Sequence, residues 1–232
     1  EGMLLSPQHF QLESARVDAL VGWHTLIGAP YAWGVKRLKF DLALVASGTL
    51  RVLELEAILP DGTAVAIDPD DASSAELSLR LDGVRAELAQ GPQTVWLCLP
   101  VSRNMKLPEL ASRFLSVKAD PVEDEVSDAA PADIPRLLPN LSLAAGVAPP
   151  PLMVAMPIAC VLEDDGVIKL GDALPPLLDV HAAPALLDAA RELAHTLRSK
   201  AAFVARQAAG VPATDQRAER LMLLQRLSCM VP

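Results

Sequence analysis

Four histidines (His9, His24, His181, His195) and three cysteines (Cys98, Cys160, Cys229) are the side chains of this 232-residue chain best suited to hold a metal or attack a substrate. A zinc site announces itself in sequence by Cys or His recurring within a few residues, because neighbouring ligands must converge on one small ion. No two of these residues stand that close. The chain also has no Gly-x-Ser-x-Gly elbow, no Gly-x-Gly-x-x-Gly turn and no Walker loop, so neither an activated nucleophile nor a phosphate cradle has support. We therefore expect no catalytic residues, no cofactor and no metal.

His9 alone sits in a suggestive context, EGMLLSPQHFQ at residues 1–11. At the third position of a helix it would feel the positive helix end, which disfavours a charged imidazole and suits a base. Ser6 is the one nucleophile near it, and no carboxylate stands beside it, so a structural role is expected. Asp68, Asp70 and Asp71 in IDPDDASSAE approach a calcium loop, but Ala72 stands where an oxygen ligand is needed and Ser73 replaces the turn glycine. This segment and the acidic run Glu123-Asp124-Glu125 are expected to be solvated turns. Cys98, within WLCLP, reads as a small buried hydrophobe.

The elements that would position such groups follow from spacing. Ser6-Pro7 is a helix start: a hydroxyl for a free N–H, then a proline at a position whose N–H is unpaired anyway. Phe10, Val17, Val21 and His24 recur at helical intervals behind it, predicting a helix over 7–24 with Phe10 anchoring its apolar face. The period then becomes two. Leu38, Phe40, Leu42 and Leu44 oppose Arg37, Lys39 and Asp41, and Leu53, Leu55, Ala57 and Leu59 alternate with Glu54, Glu56 and Ile58. Pro60-Asp61-Gly62-Thr63 is a turn. Leu77, Leu79 and Leu81 mark a further strand, TVWLCL at 94–99 one buried on both faces, and IACVLEDDGVIKL a hairpin about Asp165-Gly166. Residues 119–151, rich in Pro and Ala, are expected to be a long excursion. Turn signals at such short intervals predict a mainly β fold, a β-sandwich.

From Ala185 the character is helical. Leu186, Ala190, Leu193, Leu197, Ala201 and Val204 recur every three or four residues until Gly210-Val211-Pro212. A second helix is expected in ATDQRAERLMLLQRLSCM, with Thr214 as its cap. A stripe of this kind suggests helix-to-helix packing within or between chains. The expected domains are thus 1–178, an N-terminal helix and sandwich, and 179–232, a helical segment.

Composition narrows the partners. With 51% hydrophobic and 21% charged residues the chain is globular, and a net charge of −9 argues against a broad nucleic-acid surface. Three scattered cysteines fit reduced thiols in the cytoplasm. No apolar run reaches the roughly eighteen residues of a membrane span, and Glu1 with a short apolar run is not a signal peptide. The absent initial Met and the stop at Pro232 suggest a piece of something longer.

EGMLLSPQHFQ resembles the N-terminal signature of the TssK family, the baseplate subunits of bacterial type VI secretion systems. Ala32-Trp33-Gly34-Val35, Pro60-Asp61-Gly62-Thr63, Met156-Pro157-Ile158, Leu174-Pro175-Pro176-Leu177-Leu178 and Ala183-Pro184-Ala185-Leu186-Leu187 follow in the family's order. The resemblance implies a β-sandwich shoulder like that of siphophage receptor-binding proteins, a helical neck truncated here, and an absent head. It further implies a non-enzymatic adaptor that forms a trimer in the cytoplasm. The shoulder would attach to the TssF–TssG wedge, and the head would reach the TssJ–TssL–TssM membrane complex. Interface residues are expected in an apolar arm, Met3, Leu4 and Leu5, docking on the sandwich or a neighbouring subunit. His9, Phe10 and the stripe Leu186, Ala190, Leu193, Leu197, Ala201 and Val204 complete the set. The alternative is a phage-like recognition module for glycan or peptide, for which Tyr31 and Trp33, two residues apart, would share a face.

Overall fold

The computed structural model describes residues 6–70, 76–101, 112–118, 120–124, 126, 130–209 and 215–229. The chain divides into two compact units, Glu1–Ala182 and Ala183–Pro232.

In the first unit, α1 spans Pro7–Gly28, past the expected end at residue 24. Ser6 precedes it in extended conformation, and Pro7 occupies the first turn. The chain then enters β1 (Gly34–Phe40), which is shorter than its alternation predicted. Asp41 ends it: the carboxylate accepts from the Ala43 N–H at 3.2 Å and starts the helical turn α2 (Leu42–Val45). Leu42 is therefore exposed rather than a strand residue. In β2 (Thr49–Ile58) the alternation slips phase. Lys39 pairs with Glu54 while Phe40 pairs with Val52, so Leu53 forms a bulge and is only half-buried. Leu50 and Val52 before the bulge, and Leu55, Ala57 and Leu59 after it, all face the core.

β3 (Ala64–Ile67) and β4 (Leu77–Arg80) pair with opposite ends of β2. A 3₁₀ turn (Leu81–Val84) and the short α3 (Arg85–Leu88) then lead to β5 (Gln93–Pro100). β6 (Phe114–Val117) and β7 (Arg136–Pro139) form a small separate sheet. β8 (Ser142–Gly146), β9 (Met153–Asp164) and β10 (Val167–Leu170) join β5 in the order β10-β9-β5-β8. The Asp165-Gly166 hairpin is as expected, both residues having positive φ (51° and 78°). The excursion predicted over 119–151 is overturned: β7 and β8 lie within it, and β8 is a full member of the second sheet. Its sequence, SLAAG, has little strand propensity of its own, and pairing with distant β5 supplies what the residues lack.

Both four-stranded antiparallel sheets feed one core, as in a sandwich. Val35, Leu50 and Leu55 come from the first sheet, and Leu97, Met156, Ile158 and Val161 from the second. β5 is buried along most of its length, as its apolar run predicted. The Leu174–Leu178 segment closes the unit against β1. The Val35 N–H donates to the Pro176 carbonyl, and the Leu178 N–H to the Val35 carbonyl, each at 2.8 Å. Gly34, at φ +145°, permits this approach, since a Cβ there would lie 2.8 Å from the Pro176 oxygen.

The second unit holds α4 (Pro184–Ala209) and α5 (Asp215–Cys229) in mutual contact, and Arg220 donates to the Gln207 carbonyl at 3.2 Å. Thr214, the expected cap, lies outside the described residues. Among the described residues no helix is long and apolar enough to cross a membrane.

Candidate interaction surface

α1 carries large apolar side chains on two sides. At 100° per residue Phe10, Val17 and Val21 form one stripe, and Leu12, Trp23 and Ile27 another. All six are exposed, Phe10 at 63%, Trp23 at 57% and Ile27 at 65%. Phe10 does stand on an apolar stripe with Val17 and Val21, and that stripe is exposed. Among the described residues of α1, Gly22 alone is buried, because the third side of the helix, with Ala15 and Gly22, meets the first unit. A helix apolar on more than one side is normally buried on more than one side.

His9 has a local task. Its Nδ1 accepts from the Ser6 N–H at 3.0 Å and lies 3.0 Å from the Ser6 hydroxyl, closing the helix start. His24 meets Trp23 edge-on, with ring centroids 5.0 Å apart. His181 lies 2.6 Å from Asp179, an exposed pair that spacing alone did not reveal. Among the described residues no cluster of three or more His, Cys, Asp or Glu could hold a metal. Asp68 accepts from the Asp70 N–H at 3.0 Å and Asp124 from the Val126 N–H at 2.9 Å, while Asp71 and Glu125 lie outside the described residues. Cys98 is buried, and burial pushes its thiol up to about 11, which makes it a poor nucleophile.

The arm residues Met3, Leu4 and Leu5 also lie outside the described residues. On α4 the predicted stripe divides: Leu197, Ala201 and Val204 are half-buried, whereas Leu186, Ala190 and Leu193 are exposed. Tyr31 and Trp33 do not share a platform. Tyr31 sits at φ 65° in a turn and is 85% exposed, while Trp33 packs on the core. Period-two alternation begins only with β1, one residue beyond Trp33, so their spacing carried no facing information.

One polar cluster escaped sequence reading. Arg113 is 6% exposed and donates to the Asp61 carboxylate at 2.6 Å, the Thr63 hydroxyl at 2.7 Å and the Pro100 carbonyl at 2.8 Å. Partial burial pushes Asp61 up, but the bonds from Arg113 and from the Thr63 backbone and hydroxyl outweigh it and hold the carboxyl below its ordinary value. The cluster floors a cavity of about 640 Å³ that also touches Ala15, Ala19, Phe114 and Leu137. On the outer face of β1 and β2, Lys36 and Arg37 both hydrogen-bond Glu56 and hold its carboxyl low, and Lys39 pairs with Glu54. This charged row matches the predicted polar face.

With the fold in place, residues 9–232 match the family described as Bacterial Type VI secretion, VC_A0110, EvfL, ImpJ, VasE. The chain belongs to this family, that of TssK. A curated member, the type VI secretion system baseplate component TssK1 of Pseudomonas aeruginosa, is 31% identical over 216 residues, covering 86% of the chain and 46% of TssK1. The chain thus spans about half the length of the curated relative it matches. A crystal structure of TssK superposes with a TM-score of 0.82 at 21% identity, over 100% of this chain and 55% of that one. TssK in a TssK–TssF–TssG baseplate subcomplex solved by cryo-electron microscopy superposes at 0.80 with 24% identity, over 99% and 74%. The family's fold, two antiparallel sheets with an N-terminal helix and C-terminal helices, is the one described above.

Proposed function

We propose that the chain is a structural, non-enzymatic adaptor of a type VI secretion baseplate, whose first unit attaches to a wedge of TssF and TssG. The observation that carries this reading is α1: a 22-residue helix with exposed apolar side chains on two sides is a surface made for partners. Family membership and the subcomplex in which a TssK stands with TssF and TssG support the choice of partner. In this reading residues 1–178 act as the shoulder and 179–232 as part of a neck. The exposed Leu186, Ala190 and Leu193 are then available to other copies in a trimer, and the work is done in the cytoplasm. His9 and Phe10 belong to the α1 surface, and the arm Met3, Leu4 and Leu5 would dock on the sandwich or on a neighbouring subunit.

Co-expression of the chain with TssF and TssG from the same system tests it. The expected result is that the tagged chain retains both through size exclusion. A chain that is folded by circular dichroism yet retains neither overturns the reading.

A further inference from the structure

We propose that Arg113 is a positioning residue whose bonds to Asp61 and Thr63 form a latch that sets the attitude of α1 on the sandwich. Among the described residues of α1, full burial against the body is confined to one position. Gly22, its buried residue, lies against the Asp61-Gly62 turn: a Cβ on Gly22 would sit 3.2 Å from the Asp61 carbonyl oxygen. A Cβ on Gly62, which is at φ +84°, would sit 2.6 Å from the Gly22 Cα. Gly62 is required for this approach and a Cβ on Gly22 would push the turn away by a few tenths of an ångström, so helix and turn are placed together.

Arg113 places the turn. One terminal nitrogen takes the Pro100 carbonyl at the end of β5 in the second sheet, and the other takes Asp61 and Thr63 beyond β2 in the first. The Thr63 N–H returns to Asp61 Oδ1 at 3.1 Å, so the turn is held from both ends. A guanidinium with fixed donor directions locks orientation as well as distance, which a single-point lysine would not do. A cavity lies beside Ala15 and Ala19 on the same side of the helix, so the buried Gly22 contact bears directly on its tilt. The latch belongs to this chain alone and is independent of which partner α1 meets.

Spin labels at Gln11→Cys and Gln90→Cys, with Cys98, Cys160 and Cys229 replaced by alanine, report the helix-to-body distance by pulsed electron resonance. A single narrow distribution is expected for the unaltered latch. Arg113→Met and Gly22→Val should each at least double its width while the sheets stay folded by circular dichroism. An unchanged width in folded Arg113→Met overturns the proposal. Should that variant fail to fold, Thr63→Val, which removes one acceptor and no charge, takes its place with the same two outcomes.

Discussion

Replacing Trp23 by serine separates a residue that waits for a partner from one that supports the fold. Trp23 is 57% exposed. Of the roughly 200 Å² that a tryptophan can bury, about 110 Å² is therefore still open to a partner. At about 25 cal/mol per Å² that area represents about 3 kcal/mol on docking. Association returns only part of such a sum, because ordering and desolvation oppose it. We expect Kd for a TssF–TssG complex to weaken by about 10- to 100-fold, equivalent to about 1.4–2.8 kcal/mol. The isolated chain should hardly notice, since exposed substitutions usually stay within about 0.5 kcal/mol. Urea unfolding measures the second quantity and biolayer interferometry the first. An unchanged Kd with the chain folded removes α1 from the interface. A stability loss well above about 1 kcal/mol, judged against the usual surface effect, shows instead that Trp23 already belongs to the core.

Two further outcomes follow from the body of the first unit. Leu97, fully buried between β8 and β9, should cost about 2–5 kcal/mol when truncated to alanine, read from urea unfolding, because the cavity adds to the lost transfer energy. Asp61 titrates below its ordinary 3.8 in the folded chain. Its contribution to stability is therefore complete above that value and drains away as pH falls through the lower folded value. Asp61→Asn should flatten the acid limb of a stability–pH curve measured by urea titration, and an unaltered limb shows that the carboxylate has no such part.

The local grammar of the chain survives in the fold wherever the cause is itself local. Ser6-Pro7 starts a helix, Asp165-Gly166 turns a hairpin, and an uninterrupted apolar run becomes the central strand β5. Where one residue competes with its neighbours, pattern reading failed: Asp41 caps a turn and stops β1, and the bulge at Leu53 shifts the inward row of β2. Neither event changes composition or period enough to be visible beforehand. SLAAG reads as loop in sequence because its place in the sheet depends on β5, more than forty residues earlier.

The candidate surface divides in the same way. Sequence alone determined the family, the opening helix, the central strand β5, the β9–β10 hairpin and the closing helices, and the absence of any motif for metal or nucleophile, since these rest on residue identity and spacing. Tertiary structure decided which side chains of α1 are left exposed. The same helical spacing of Phe10, Val17 and Val21 would serve a buried helix, and only the fold leaves those side chains uncovered. It also brought Arg113 to Asp61 and Thr63 across some fifty residues, a meeting that depends on how two sheets stack and that no local spacing encodes.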